Sequence, residues 1–148
     1  MGFVEKIKIK TVNNRSQEEV DVIMLKEGTG ISGSAFEGGD EKLQITLMES
    51  EARISAIPEK KDGFCISRFK ENISTAGFDI KGLKEGDRLE IGSAVIEITI
   101  PGKKCYEECP VFKRQGNCGL WKSAAFAKTV RNGEIRVHDR IKKISQNV

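Results

Sequence analysis

Isoleucine and lysine alternate along the first apolar stretch of the chain, between Val4 and Val12. The isoleucines therefore share one face of an extended chain and the lysines share the other. A period of two residues predicts a β-strand with one solvated side. A polar turn at 13–16 separates this stretch from a second strand-like run, Val20 to Leu25, so we expect the two strands to form a hairpin.

Further apolar runs predict additional strands. The run from Ala94 to Ile100 is rich in β-branched residues and stops at Pro101-Gly102. Between strands, residues 28–40 contain five glycines and predict a loop whose backbone can approach a ligand closely. The other predicted strands are Leu43–Met48, Phe64–Phe69, Leu89–Ile91 and Glu134–Val137.

Two segments favour short helices. An apolar stripe of Leu120, Ala124 and Ala127 predicts a helix over Trp121–Val130, stopped by the Asn-Gly pair that follows it. A shorter helix is predicted over Glu49–Ile57, ending before a proline. Many short strands separated by glycine turns, with one or two short helices, predict a mainly β fold, a β-barrel with helical decoration.

The length and composition indicate a globular protein. We expect the 148 residues to form one domain, spanning 1–148. Charged residues make up 32% of the chain and hydrophobic residues 38%, which argues against disorder. The first residues carry charges where a signal peptide needs an apolar stretch, and no run approaches the length of a membrane span. We therefore expect a cytoplasmic protein with reduced thiols and no membrane contact.

The net charge of +3 is distributed unevenly. Residues 101–148 carry 11 Lys and Arg against 4 Asp and Glu, a net charge of +7, whereas residues 1–100 carry −4. A basic half suits an anionic ligand such as a phosphorylated cofactor, although it could also be solvated surface. Few aromatic residues accompany the basic stretch and no nucleic-acid-binding motif is recognisable, so we expect no nucleic-acid partner.

The basic half also contains three of the four cysteines, Cys105, Cys109 and Cys118. Lys103 and Lys104 directly precede Cys105, and neighbouring cations lower the pKa of a thiol. Because the thiolate attacks sulfur and binds metal, we expect Cys105 to be the catalytic residue if this chain carries out chemistry. The alternative is a set of buried, inert cysteines.

The other cysteines leave several roles open. If the segment after Cys105 is helical, Cys109 shares a face with Cys105 and could resolve a persulfide or form a redox-sensing disulfide. Cys105, Cys109 and Cys118 could also bind a metal such as zinc, with His138 as a fourth ligand. For His138, a surface position at the end of a strand is the favoured interpretation, and Cys65 is expected in the core.

Several residues are candidates for binding a cofactor. Asn72 could orient a ligand or cap a turn, and we favour the turn. The chain lacks a Ser/His/Asp set, a phosphate-binding Gly-Lys-Ser/Thr loop and an HExxH motif, so hydrolase and nucleotide-binding functions lack residues. For each basic candidate taken alone, solvated surface is the favoured interpretation; these candidates are Lys103, Lys104, Arg68, Lys113, Arg114 and Lys122.

A series of motifs in the second half of the chain is familiar as a set. They are Glu71-Asn72-Ile73, Leu83–Ala94, Gly102-Lys103-Lys104-Cys105, Cys109–Phe112, Gly116-Asn117-Cys118 and Phe126–Ile135. Their order and spacing resemble the small stand-alone MOSC domains, named for the C-terminal domain of molybdenum cofactor sulfurase. The resemblance covers residues 28–148 and is most specific from residue 69 onward.

The resemblance implies a β-barrel like the barrel domain of pyruvate kinase. It also implies binding of molybdenum cofactor, or carriage of sulfur taken as a persulfide from a cysteine desulfurase that keeps its own pyridoxal phosphate. The family's proposed sulfur carrier or molybdenum ligand falls on Cys105. The acceptor of the sulfur would be a molybdenum enzyme or a cofactor-biosynthesis protein, at a metal-sulfur or molybdenum cofactor centre.

The chain also departs from the family pattern. Relatives carry Gly-Asp-x-His in the glycine loop, where this chain has residues 33–36, Gly-Ser-Ala-Phe. Tyr106 stands where relatives often have histidine, and His138-Asp139 stands where they have Gly-Asp.

From the cysteine pattern and the family resemblance together, we expect a sulfur-carrier or molybdenum cofactor-binding domain, catalytic only as a sulfur transferase beside a separate desulfurase. The alternative is a non-catalytic binding module with a structural metal site.

Overall fold

The fold is described by a computed structural model that covers residues 2–11, 17–34, 37–39, 44–51, 71–102 and 120–144. Within these residues the chain is built almost entirely of strands. In chain order they are β1 Phe3–Ile9, β2 Glu18–Val20, β3 Val22–Lys26, β4 Gly30–Ile31, β5 Ile45–Glu49, β6 Ile73–Ala76, β7 Arg88–Ile91, β8 Ala94–Pro101, β9 Ala124–Arg131, β10 Gly133–Arg136 and β11 Ile141–Ile144. A 3-10 helix, Leu120–Ser123, precedes β9.

Eight of the described strands form one sheet in the order β11-β7-β8-β9-β5-β6-β1-β2, and β10-β3-β4 form a second. The larger sheet curls, because β1 also hydrogen-bonds to the residues that lead into β11. The Val4 amide donates to the Asp139 carbonyl at 2.8 Å, and the His138 amide donates to the Val4 carbonyl at 2.8 Å. The Ile141 amide donates to the Gly2 carbonyl at 2.9 Å. The mainly β, barrel-like fold expected from the sequence is therefore confirmed.

Aliphatic side chains from both sheets share one hydrophobic core. Its fully buried members within the described residues include Ile7, Leu25, Ile45, Leu47, Ile73, Leu89, Ile91, Ile96, Ile98 and Ile135. Leu25 and Ile135 come from the smaller sheet, so that sheet covers part of the curled larger one. Burial of these side chains is the main favourable term that holds the two sheets together.

Most of the predicted strands are confirmed with small changes of boundary. The predicted strand Ala94–Ile100 is β8, and Leu43–Met48 corresponds to β5. The first hairpin forms between β1 and β2, with Ile7 opposite Val20. The run from Val20 to Leu25 is interrupted at Asp21, and its second half, β3, leaves the hairpin to pair with β10.

The prediction of a helix over Trp121–Val130 is wrong, because Ala124–Arg131 forms strand β9. This strand lies between β5 and β8 in the middle of the larger sheet. Its buried alanines 124, 125 and 127 permit close packing there, so tertiary packing overrides their helix propensity. The Asn-Gly pair that was expected to stop a helix instead joins β9 to β10.

Three other sequence predictions need revision or lie outside the described residues. A strict alternation would put Val4 on the same face as the lysines of β1, but a register shift between Val4 and Lys6 turns Val4 into the core with Ile7. Of the predicted helix Glu49–Ile57, only Ser50 and the residue after it are described as helical, and Glu49 ends β5. The predicted strand Phe64–Phe69 lies outside the described residues.

Gly133 lies where two backbones approach closely, and this contact generates a test of the fold. A Cβ atom added there would overlap the backbone of Ser93 and Ala94, so we expect Gly133→Ala to destabilise the protein by about 1–3 kcal/mol. Gly82→Ala is the matched control, because the nearest atom to its added Cβ is a side-chain oxygen of Asp79 at 3.1 Å. Denaturant unfolding measures both. Equal losses for the two variants would contradict the described approach of β8 to β10.

Candidate functional site

The β8–β9 pair holds both ends of the segment that contains the three clustered cysteines. Pro101, the last residue of β8, is the partner of Ala125 in β9. Gly102 follows, is buried, and has a φ of 82°, a left-handed conformation that favours glycine and ends the strand. Residues 103–119 therefore connect the end of β8 to the 3-10 helix that leads into β9.

Several of the predicted site residues belong to that segment or to residues 52–70. The sulfur-accepting and metal-binding candidates Cys105, Cys109 and Cys118 lie outside the described residues, as does Cys65. The same holds for the basic cofactor-binding candidates Lys103, Lys104, Arg68, Lys113 and Arg114. Their predicted roles stay predictions. Lys122, a further anion-binding candidate, is exposed in the 3-10 helix.

The ladder end to which the cysteine segment is attached has an apolar, fully buried base. Ala125 pairs with Leu47 of β5, and Leu47 pairs with Ile73 of β6. All three side chains are 0% exposed. Met48 and Ala124, which point to the other face of the same strands, are also 0% exposed. Both faces of the sheet are thus shielded here, which gives the attachment points of the segment a close-packed support.

Acidic side chains beyond this apolar base are used to hold backbone and side chains in place. Glu49, at the end of β5, accepts a hydrogen bond from the Ile80 amide at 2.9 Å and from Lys81 Nζ at 3.2 Å. Ser50 Oγ donates to Glu5 Oε2 at 2.6 Å. These contacts join β5 to β1 and to the turn after β6. These hydrogen bonds give the carboxylates of Glu49 and Glu5 a structural role.

Asn72, a predicted cofactor-binding residue within the described part of the chain, joins three strands. Its Oδ1 accepts hydrogen bonds from Thr46 N at 3.0 Å and from Thr46 Oγ1 at 3.1 Å. Its Nδ2 donates to the Lys8 carbonyl at 3.1 Å. The Asn72 backbone amide donates to Thr46 Oγ1 at 2.8 Å, and its carbonyl accepts from Lys8 N at 2.7 Å. Asn72 therefore connects the start of β6 to β1 and β5, and its contact with a cofactor stays a prediction.

The whole Glu71-Asn72-Ile73 motif has a structural role in this fold. Glu71 is only 1% exposed and accepts a hydrogen bond from Ser74 Oγ at 3.1 Å. Ile73 belongs to the hydrophobic core. The motif thus combines a buried carboxylate, a strand-joining amide and a core side chain. Thr46, the partner of Asn72, was missed at the sequence level, because nothing in one sequence links residues 26 positions apart.

His138, considered as a fourth metal ligand, is an exposed turn residue between β10 and β11. This position agrees with the favoured interpretation of a surface histidine. Its φ of 78° is left-handed, which gives a physical reason for the glycine that relatives carry there. Its ring lies 6.2 Å from the ring of Phe3, measured between centroids. Across the described ranges, no group of three or more His, Cys, Asp and Glu side chains is arranged to hold a metal ion.

Charged residues on the outer face of the larger sheet are paired in a line across three strands. Glu97 of β8 lies 3.1 Å from Arg88 of β7 and 3.7 Å from Lys128 of β9. All three side chains are partly exposed, so each pair contributes modestly to stability.

Within the described part of the chain, no helix is long and apolar enough to cross a membrane.

The curled larger sheet and the packing of both sheets on one core define a small, mainly β, barrel-like protein. Residues 34–142 match the family model of the MOSC domain. This match covers most of the chain, and the protein belongs to the MOSC domain family. The comparison with curated proteins found no match.

Solved structures share the fold over nearly the whole chain. YiiM from Escherichia coli is 19% identical, with a TM-score of 0.66 over 96% of this chain and 70% of its own. YuaD from Bacillus subtilis is 16% identical, with a TM-score of 0.68 over 95% of this chain and 94% of its own. YiiM from Geobacillus stearothermophilus is 16% identical, with a TM-score of 0.68 over 98% and 76%. At these identities the likeness concerns the fold alone.

The role of Asn72 in joining strands predicts a stability defect. Asn72→Ala removes partners from Thr46 and Lys8, and we expect it to lower the free energy of unfolding by about 2–3 kcal/mol. Asn132→Ala is the matched control, because exposed Asn132 accepts one hydrogen bond, from the Glu27 amide at 2.7 Å. We expect that control to lose less than about 1 kcal/mol. Similar losses in denaturant unfolding would contradict the strand-joining role.

Proposed function

We propose that this MOSC domain carries sulfur as a persulfide on Cys105 and delivers it to a metal-sulfur or molybdenum cofactor centre. The observation that carries the proposal is the position of Cys105 in the chain. It follows two lysines in the segment 103–119, which connects the end of β8 to the 3-10 helix before β9. Family membership supports a role in molybdenum cofactor chemistry.

The number of residues between Gly102 and Cys105 limits how far Cys105 can lie from the end of β8. Cys105 follows Gly102 by three residues, so covalent geometry limits the distance between their Cα atoms to about 11 Å. Cys118 precedes Leu120 by two residues and is limited to about 7 Å from it by the same argument. A carrier thiol benefits from such tethering, because it must meet a donor and then an acceptor while its own domain stays folded.

The loading step is an exchange between sulfur atoms. The Cys105 thiolate attacks the terminal sulfur of the donor's cysteine persulfide, and a new S–S bond forms on Cys105. The donor's S–S bond breaks, and its electron pair leaves on the donor's cysteine sulfur, which takes up a proton. The step has no net oxidation. Lys103 and Lys104 favour it by stabilising the attacking thiolate.

Release of the sulfur as hydrosulfide requires two electrons, and Cys109 is a chemically suitable source. Its thiolate attacks the inner sulfur of the Cys105 persulfide, which forms a Cys105–Cys109 disulfide and expels hydrosulfide to the acceptor. A dithiol reductant then returns the disulfide to two thiols. Direct attack by an acceptor thiolate on the terminal sulfur is the alternative route, and it leaves Cys109 unused.

The molybdenum cofactor enters this proposal as cargo or as the receiving centre. Its phosphate would suit the basic candidates Lys103, Lys104, Arg68, Lys113 and Arg114, since guanidinium and ammonium groups pair well with phosphate oxygens. The donor is a cysteine desulfurase that holds its own pyridoxal phosphate. The acceptor is a molybdenum enzyme or a cofactor-biosynthesis protein. On this proposal the domain acts as a sulfur transferase only together with its donor.

Sulfur loading provides the test of this function. Wild-type protein and Cys105→Ser are incubated with a cysteine desulfurase and cysteine, and bound sulfur is released with cyanide and quantified as thiocyanate. We expect about one labile sulfur per wild-type chain and at least a tenfold lower amount on Cys105→Ser. Cys65→Ser is the matched control and should load like wild type. Equal loading of Cys105→Ser, or no loading of wild type, would reject Cys105 as the carrier.

The alternative function, a binding module with a structural metal on Cys105, Cys109 and Cys118, makes the opposite prediction. A structural metal stabilises the folded state, and a chelator then lowers the unfolding temperature. Metal content by plasma mass spectrometry, together with unfolding before and after chelation, distinguishes the two. We expect no effect of the chelator if Cys105 is a free carrier thiol. One zinc per chain, lost together with the fold, would favour the binding module.

A further inference from the structure

A group of buried polar atoms belongs to the turn between β3 and β4, to the residue just before β5 and to β9. Within the part of the chain that is described, Thr29 Oγ1, Gln44 Nε2 and Thr129 Oγ1 are buried and have no hydrogen-bond partner. Gln44 is 8% exposed and Thr129 is 2% exposed as whole residues. Buried polar atoms of folded proteins are normally hydrogen-bonded, so three such atoms in neighbouring residues need an explanation.

Gln44 contacts both Thr129 and the backbone of the residue that follows Thr29. The Thr129 amide donates to Gln44 Oε1 at 2.9 Å, which fixes the orientation of the amide and leaves Nε2 as a donor. The backbone of Gly30 packs against Gln44, because a Cβ added to Gly30 would lie 3.1 Å from Gln44 Cβ. Thr29 directly precedes Gly30, and its carbonyl accepts from Gly38 N at 2.9 Å. Gln44 therefore lies between β9 and the residues that lead into β4.

The chemistry of the three atoms matches a single water molecule. Gln44 Nε2 supplies hydrogen atoms, and each threonine hydroxyl can donate or accept. A water needs two to four polar partners, and internal waters usually satisfy buried groups that lack a protein partner. We propose that Gln44, Thr129 and Thr29 bind one internal water, which joins the turn before β4 to β9. The smaller sheet is then attached to the larger one partly through solvent.

Replacement of threonine by valine tests the water site, because it removes the hydroxyl and keeps the shape. If the hydroxyl binds the water, Thr129→Val and Thr29→Val should each lower the folding equilibrium constant by about two- to tenfold. The double variant should lose less than the product of the two single losses, since the second hydroxyl then has no water left to hold. Denaturant unfolding gives all three values.

Thr75→Val is the matched control. Thr75 is also 0% exposed with an unpartnered Oγ1, but it lies in β6 and has no second such atom among its described hydrogen-bonded neighbours. Removal of an unsatisfied buried hydroxyl should leave stability unchanged or raise it. A Thr129→Val variant that is as stable as wild type, that behaves like Thr75→Val, or that combines with Thr29→Val in a fully multiplicative way would overturn the shared water.

A measurement on the wild-type protein decides the case if Thr129→Val fails to fold. Water-selective nuclear Overhauser spectra report protons close to a water that stays bound for nanoseconds or longer. We expect cross-peaks from water to the side-chain amide protons of Gln44, with the sign of a long-lived bound molecule. Their absence, with the Gln44 amide signals assigned and resolved, would overturn the proposal.

Discussion

The pairing of β8 with β9 is the constraint on which the rest of this domain depends. It runs from Val95 opposite Arg131 to Pro101 opposite Ala125, in the middle of the larger sheet. On one side it carries β7 and β11, and on the other it carries β5, β6 and β1. The same pairing holds the end of β8 beside the start of β9, and residues 103–119 lie between these two strands in the sequence. The cysteine segment is therefore anchored by the hydrogen bonds that organise the sheet, and any change that opens the pair would affect fold and site together.

The two strands of this pair were not equally predictable from the sequence. In β8 the β-branched residues give a strong strand signal that agrees with the fold. In β9 three alanines have high helix propensity and happen to fall at helical spacing. In the structure, buried Ala125, Ala127 and Thr129 alternate with partly exposed Phe126, Lys128 and Val130, which is the period of a strand. β9 forms a strand because it pairs with β8 along one edge and with β5 along the other. The helix propensity of its residues contains no information about these two neighbours.

The residues of the candidate site also differ in how far the sequence predicts their roles. The chemistry of Cys105 can be anticipated locally, because the two lysines that would stabilise its thiolate are its neighbours in the chain. The function of Asn72 could not, since it depends on Thr46 and Lys8, which only the sheet brings together. His138 combines both cases: its surface position was expected, whereas its left-handed backbone conformation is evident only from the structure. Sequence motifs thus indicate reactive groups more reliably than they separate those groups from residues that hold the fold.

The central claim is that Cys105 is a reactive thiolate in a MOSC domain, and its pKa is the most direct test. The rate of alkylation of each cysteine by iodoacetamide would be followed from pH 5 to pH 10, with each site resolved by peptide mass spectrometry. The account predicts that Cys105 reacts fastest at neutral pH, with a pKa below the ordinary value of about 8.5. A Cys105 that reacts no faster than Cys65, Cys109 and Cys118, or that titrates at or above the ordinary value, would contradict it.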